Sequence, residues 1–403
     1  MPLLTYDSPN TTRVFGRGPY QTNVAVTQLV FGRRSNAVVL ASSERPLDAI
    51  AALSLVHQPI DGPVLLCPPN GLDSVTVDEI RRLAPLGVEG LAQVIMIGAV
   101  GSDVEQHVAS LGFSVMRLTG MNAYHTAAEI VRFLGYPEDI MLLSGEHPLS
   151  GLCAGAMAAH AGVPVLFTLR DTLPQETVGA IRACGKSVNV FMVGSRNLIS
   201  DQVEEAVRDL TSGTVGRISG EDPFELSVRF AKYRSADGRF GFGKTDKHGH
   251  AFTFVNPGRW QDAISGALLA RMGKHPPILF CRRDDVPAVV REYLLSVNPA
   301  RGRPEPPFMH GFIVGDLDAM SIPVQLEIDD TLSIDGKADR EIVHTVAPGD
   351  NLLQIARRYG VPMRDIANAN QLSAQTCLEP GARLLIPYSV TGAPPAPPAQ
   401  ELH

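Results

Sequence analysis

Along residues 1–330, short wholly apolar runs alternate with stretches in which apolar positions recur at three- and four-residue steps. Within the first part lie Ala37–Val38–Val39–Leu40, Gly62–Pro63–Val64–Leu65–Leu66 and Val94–Ile95–Met96–Ile97–Gly98. Such runs, aliphatic at consecutive positions rather than at alternate ones, predict strands buried on both faces. The amphipathic stretches between them predict helices, so the pattern reads as parallel sheets covered on two sides.

The pattern recurs three times at a period of about 100 residues. Each copy opens on Arg13–Val14–Phe15–Gly16, Arg117–Leu118–Thr119–Gly120 or Arg217–Ile218–Ser219–Gly220, followed four residues on by Tyr20, Tyr124 or Phe224. A strand, a loop and a helix come next: Ala37–Leu40 with Pro46–Leu47–Asp48–Ala49, Ile140–Leu143 with Pro148–Leu149–Ser150–Gly151, and Ala251–Val255 with Trp260–Gln261–Asp262–Ala263. Buried strands then follow at Val64–Leu66, Val165–Phe167 and Ile278–Phe280. Each copy ends on a strand stopped by Gly98, Gly194 or Gly315. Three α/β units therefore fill this region.

These landmarks resemble the cell-wall-binding repeat type 2 family, whose members carry such modules in triplicate. The resemblance implies three Rossmann-like or Toprim-like parallel-sheet repeats in a pseudo-threefold arrangement, at 12–116, 117–216 and 217–328. It implies anionic wall polymers as ligands and makes Arg13, Arg117, Arg217, Asp48 and Asp262 the repeat-equivalent candidates. The arginines have a second reading, in which they hydrogen-bond loop carbonyls at a strand start. Where the family often has a second basic residue, this chain has Pro19, Ala123 and Pro223; Ser150 replaces the helix aspartate in the middle copy.

The pattern changes after a polar connector at 329–342. Val343 and Val346 precede a Pro348–Gly349–Asp350 turn. Leu352, Ile355, Ala356 and Tyr359 then share one helix face, Gly360 stops that helix, and Pro362 opens another bearing Met363, Ile366 and Ala367. Pro380–Gly381 turns the chain into Arg383–Leu384–Leu385–Ile386–Pro387. This βααβ order over 343–388 resembles a LysM domain, which implies binding of N-acetylglucosamine polymers such as peptidoglycan. The family's groove falls here on Gly349, Asp350, Asn351 and Leu352 and on Gln371, Leu372 and Ser373. A proline-rich tail, 389–403, follows and is expected to be disordered.

Composition narrows the function. Net charge is −7 and no Lys/Arg run occurs, which argues against a nucleic-acid partner. No run of eighteen apolar residues suggests membrane insertion. Five scattered cysteines without a C-x-x-C pair suggest free thiols, with Cys67 and Cys281 in buried strand-like runs. The start at Met1–Pro2–Leu3–Leu4 shows no export signal.

Gly238–Arg239–Phe240–Gly241–Phe242–Gly243–Lys244–Thr245 fits the spacing of a phosphate-binding loop, but a helical segment precedes it where that mechanism needs a strand. A β-hairpin decorating the third repeat is the better expectation. His248 and His250 would share a face if extended, with no third metal ligand evident, and Trp260 is either a sugar platform or a core residue. No nucleophile triad, metalloprotease motif or paired carboxylates stand out, and no residues are left for a catalytic domain.

The chain is therefore expected to be a non-catalytic envelope protein without cofactor or metal. Its expected partners are peptidoglycan or another N-acetylglucosamine polymer, and a secondary wall polymer at the repeats. The cell wall is the location that the resemblance implies. Assembly inside the cell, as part of a spore layer or phage-tail-like particle, is the alternative, and a nucleotide-binding enzyme the remote one.

Overall fold

The computed structural model describes residues 4–32, 34–58, 60–87, 92–299, 308–334, 341–359, 361–370, 372–373 and 378–387. The linker segment 335–340, residues 300–307, Gln371, Cys377 and the tail lie outside these.

The apolar runs form strands, as their lack of alternation requires. β1 (Leu4–Asp7) and β2 (Thr11–Phe15) open the chain. β3 (Val38–Ser42), β4 (Val64–Cys67), β5 (Val94–Ile97) and β6 (Val115–Leu118) make a parallel sheet in the order β4-β3-β5-β6. β7 (Asp139–Ser144), β8 (Val165–Thr168), β9 (Asn189–Val193) and β10 (Val215–Ile218) repeat it as β8-β7-β9-β10. β11 (Ala251–Val255), β12 (Ile278–Phe280) and β13 (His310–Val314) begin a third sheet that runs β12-β11-β13-β2-β1, parallel up to β2 and antiparallel at β1. β3, β4 and β5 are buried at every residue, as a sheet sandwiched between helices demands.

The sheets are offset by one strand from the sequence repeats. β6 starts with the second Arg landmark yet pairs with β5, and β10 starts with the third yet pairs with β9. β2, the first landmark, completes the third sheet beside β13. The N-terminal segment is pinned there, where Ser8 Oγ and the Asn10 N–H both donate to Asp329 Oδ1 at 2.5 and 2.7 Å. Each unit thus passes one strand to its predecessor, and the third receives its strand from the N terminus.

At the centre, the helical segments 46–56, 148–161 and 260–271 pack on one another around a pseudo-threefold axis. The opening helix of each copy leans on the central segment of the copy before it: Ala123–Phe133 on 46–52, Pro223–Lys232 on 148–154, Pro19–Val30 on 260–267. Gly155 allows one close approach there, since a Cβ on it would stand 2.6 Å from Leu53.

β14 (Glu341–Thr345) and β15 (Arg383–Pro387) pair antiparallel around helices Leu352–Tyr359 and Met363–Ala369. Ile322 and Leu326, on the last helix of the third repeat, belong to the same buried apolar cluster as Val346, Leu352, Ile355 and Tyr359. The small module is therefore packed on the ring.

The expected hairpin at 238–245 is absent. Residues 234–250 form turns and bends, because Gly238, Gly241 and Gly243 take φ values of 72°, 103° and 61° and coil the chain. Coiling lets Phe240 and Phe242 both reach the core, where Phe240 stacks on Phe191 at 3.8 Å between centroids. No strand precedes this loop and no helix follows it, so the setting of a phosphate loop is missing.

Candidate functional site

The turn between β14 and the first helix of the small module is built by proline and glycine. Pro348 and Gly349 occupy the central positions of a turn closed by the Asp350 N–H donating to Ala347 O at 3.0 Å, with Gly349 at φ 90°. That value suits the third residue of a type II turn and disfavours any side chain there. The Asp350 carboxylate faces inward: Oδ2 accepts from the Ala347 N–H at 2.8 Å and from His344 Nε2 at 2.9 Å. His344 is 1% exposed, and its Nδ1 lies 2.9 Å from the Tyr359 hydroxyl. Burial, with Arg358 adding to it and Asp350 opposing it, pushes the imidazole below its ordinary range. The neutral ring then donates from Nε2 and accepts at Nδ1. Desolvation would raise Asp350, but the Ala347 N–H and His344 outweigh it and hold the carboxyl low.

Asn351 caps the first helix, its Oδ1 accepting from the Gln354 N–H at 2.9 Å. Leu352 is 4% exposed and belongs to the core. What the turn presents outward is therefore main chain at Pro348–Gly349, together with exposed Ser373 and half-buried Leu372 on the second loop. Gln371 lies outside the described residues. Leu353, which periodicity excluded from the buried face, is 49% exposed on the first helical turn and offers an apolar surface. A leucine on the polar face of an amphipathic helix is the signal that could have singled it out.

On the ring, a cavity of about 320 Å³ lies between the first and second repeats, at the carboxyl ends of the strands where ligands of open α/β sheets collect. Its lining includes Glu44, Arg45, Asp48, Ala99 and the loop 119–123 that enters helix Ala123–Phe133. Asp48 is 4% exposed and its Oδ2 accepts from the Ala99 N–H at 3.4 Å, while Oδ1 has no hydrogen-bond partner. Burial raises its carboxyl above the ordinary range against the opposing pull of the Ala99 N–H and Arg45. The glycine ending β5 makes room for it, since a Cβ on Gly98 would lie 2.2 Å from Asp48 Oδ2. Asp262 repeats this against Gly315, with Arg259 3.7 Å away. Burial, reinforced by Asp316, pushes Asp262 up to about 7. Asp48 is the one ligand candidate of the sequence that lines the cleft, beside the landmark residues Thr119 and Gly120; Glu44, Arg45, Met121 and Asn122 lie between landmarks and carry no periodic signal.

The three landmark arginines turn their guanidinium groups to main-chain carbonyls of the preceding repeat. Arg13 is fully buried and donates to Gly315 O and Asp316 O, both at 3.0 Å, and to Gln325 Oε1 at 2.8 Å. Arg117 donates to Val100 O and Gly101 O and pairs with Glu105 at 2.5 Å. Arg217 donates to Gly194 O and Ile199 O and pairs with Glu204 at 2.9 Å. In each copy these bonds staple the shared strand to the sheet it joins.

His250 is buried and His248 exposed, both near Asp246 at 3.3 and 3.2 Å. Trp260 begins the third central helix, half-buried against the core. Cys67 and Cys281 are free and buried, and burial pushes the Cys67 thiol up to about 12. No described helix is long and apolar enough to cross a membrane.

The chain is thus a threefold ring of α/β units with a cleft at the carboxyl ends of its strands, joined to a βααβ module with an open main-chain turn. Residues 117–204 match the family Cell wall binding domain 2 (CWB2), and residues 344–387 match the LysM domain. The chain carries a match to each. It is 27% identical over 284 residues to the amidase enhancer of Bacillus subtilis (strain 168), covering 70% of this chain and 36% of that one. It is also 27% identical over 348 residues to N-acetylmuramoyl-L-alanine amidase LytC of the same organism, covering 85% and 63%. The chain thus spans less than two thirds of the length of these curated relatives. Among solved structures, Cwp8 from Clostridium difficile shares the fold with a TM-score of 0.66 at 20% identity, over 81% of this chain and 52% of that one.

Proposed function

We propose that the chain is a non-catalytic adhesion protein of the bacterial envelope, holding N-acetylglucosamine polymer through the module at 344–387 and a second wall component through the ring. The observation that carries this reading is the match of 344–387 to LysM on a βααβ module whose Pro348–Gly349 main chain faces outward. An N-acetyl group asks for exposed amides and carbonyls beside an apolar surface, and this turn with Leu353 supplies both. The CWB2 match at 117–204 supports the ring as the second contact and the cell wall as the location. Two weak sites on one rigid chain gain avidity on a repetitive polymer.

Co-sedimentation with purified peptidoglycan tests the reading. Retention should fall at least tenfold in excess chitotetraose and in Leu353→Glu, whose exposed position leaves the fold intact. Retention that neither treatment changes would overturn the assignment of glycan binding to this module.

A further inference from the structure

The cleft between the first and second repeats has the wrong charge for an anionic polymer. Its ionisable lining is Glu44, Arg45 and Asp48, two acids against one base, and Ala123 brings no charge at the helix entrance. What it offers instead is a mixture of donors, acceptors and apolar surface. The His125 N–H is taken by the N-cap Asn122 Oδ1 at 2.8 Å, but the Ala123 and Tyr124 N–H groups have no carbonyl four residues back within the helix and can donate to an uncharged acceptor. Asp48 and Glu44 can accept from hydroxyl or amide N–H groups. Met121, 88% exposed where the loop enters the cleft, presents a polarizable apolar face beside Leu47 and Pro148.

The equivalent positions differ. Ser150 stands where Asp48 does, and Asp262 is approached by Arg259, which also reaches Asp316 at 3.7 Å. Asp48 and Asp262 each keep one carboxylate oxygen without a hydrogen-bond partner; the volume of about 320 Å³ in the first cleft suits a sugar unit.

We propose that this cleft binds an uncharged N-acylated sugar unit, with the amides at the start of helix Ala123–Phe133 on the acyl carbonyl, Asp48 and Glu44 on N–H and hydroxyl groups, and Met121 against the ring or acyl methyl. The proposal rests on the reading of the ring as a wall contact and names the chemistry of that contact.

Hydrogen–deuterium exchange on the full chain tests it with four probes: chitotetraose, its de-N-acetylated counterpart, solubilised peptidoglycan strands and polyglycerol phosphate. Chitotetraose should protect peptides covering 44–48 and 119–126, and de-N-acetylation should weaken that protection at least tenfold. Peptidoglycan strands protecting the same peptides would identify the wall glycan itself as the source; protection by chitotetraose alone would support the sugar chemistry with another N-acylated polymer as source. Met121→Glu should abolish protection at 119–126 while protection at 349–356 persists. Stronger protection of 119–126 by polyglycerol phosphate, or protection confined to 349–356, would overturn the cleft proposal and leave the LysM reading standing. No protection by any probe at either place would overturn both.

Discussion

Two titratable groups on the ring's central segments, half-buried His160 and buried Asp262, have opposite pH dependences, and their separation is a test of the packing at the axis. His160 closes the second central helix, its ring 4.2 Å from that of His275 and 5.9 Å from Phe242. Burial first, then the nearby His275, His57, Lys244 and Arg271, push it down to about 4 from an ordinary 6.5. Asp262 starts the third central helix and is pushed up to about 7 from an ordinary 3.8 by burial and Asp316, against Arg259. For His160 the unfolded chain takes its proton first, so stability falls as pH drops from 6.5 to 4, by about 1–2 kcal/mol once solvent screening of a half-buried ring is allowed for. For Asp262 the folded chain takes its proton first, so stability rises as pH drops from 7 to 3.8, by roughly 4 kcal/mol. The two windows overlap, and the aspartate is the larger contributor.

Urea denaturation followed by circular dichroism from pH 7.5 to 4.5 should therefore separate them by substitution. His160→Gln removes the acid-side loss, so its stability relative to wild type should climb by about 1–2 kcal/mol across that range. Asp262→Asn should do the reverse by a larger amount, and the double variant should fall between the two single variants. Histidines outside the cluster of His160, His275 and His57 contribute equally to all four curves and drop out of the differences. Parallel curves for wild type and His160→Gln would refute the argument that the axis holds this histidine neutral.

Arg13→Met should cost about 3 kcal/mol or more in the same assay, because it removes a fully buried guanidinium that donates to Gln325 Oε1, to the buried Gly315 carbonyl and to the Asp316 carbonyl, whereas Arg117→Met, at a half-buried site, should cost roughly half as much. Asn370 holds Leu385 through two bonds of 2.6 Å, so Asn370→Ala should lose about 1–3 kcal/mol and expose 383–387 to exchange while ring peptides keep their protection. Leu326→Ala opens a cavity in the cluster shared by the third repeat and the small module; it should cost about 2–5 kcal/mol and lower the melting of both together, and a shift confined to one would refute the shared core.

The strands and central segments were legible because a doubly covered parallel sheet leaves an unbroken apolar run, and three copies of such a run expose each other. The small module was legible for the same reason at smaller scale: Pro348–Gly349 and the helical step of Leu352, Ile355 and Tyr359 are local signals. What the residues could not show is long-range pairing. Nothing in Arg13–Val14–Phe15 says that it lies beside Ile313 rather than within its own repeat, since both neighbours are equally apolar. The coil at 238–245 was misread as a hairpin because alternating Gly and Phe has the period of a strand; only positive φ at three glycines shows that the alternation feeds two rings into one core. The cleft residues Glu44, Arg45 and Met121 sit on loops, where no periodicity marks them.

The one-strand offset also explains why the repeats number three. A unit that lends its first strand backwards leaves the last unit one strand short, with the edge of β13 open to pairing. Adding copies in a line would only move that open edge along. Three central segments meeting about one axis bring the chain's start beside its last sheet, where β2 fills the vacant place and Arg13, Ser8 and Asn10 fasten it. Ring closure thus rests on the same arginine that opens every copy. Arg13 is the most buried of the three because the junction it seals joins the two ends of the ring, with the last helix of the third repeat packed over it through Gln325.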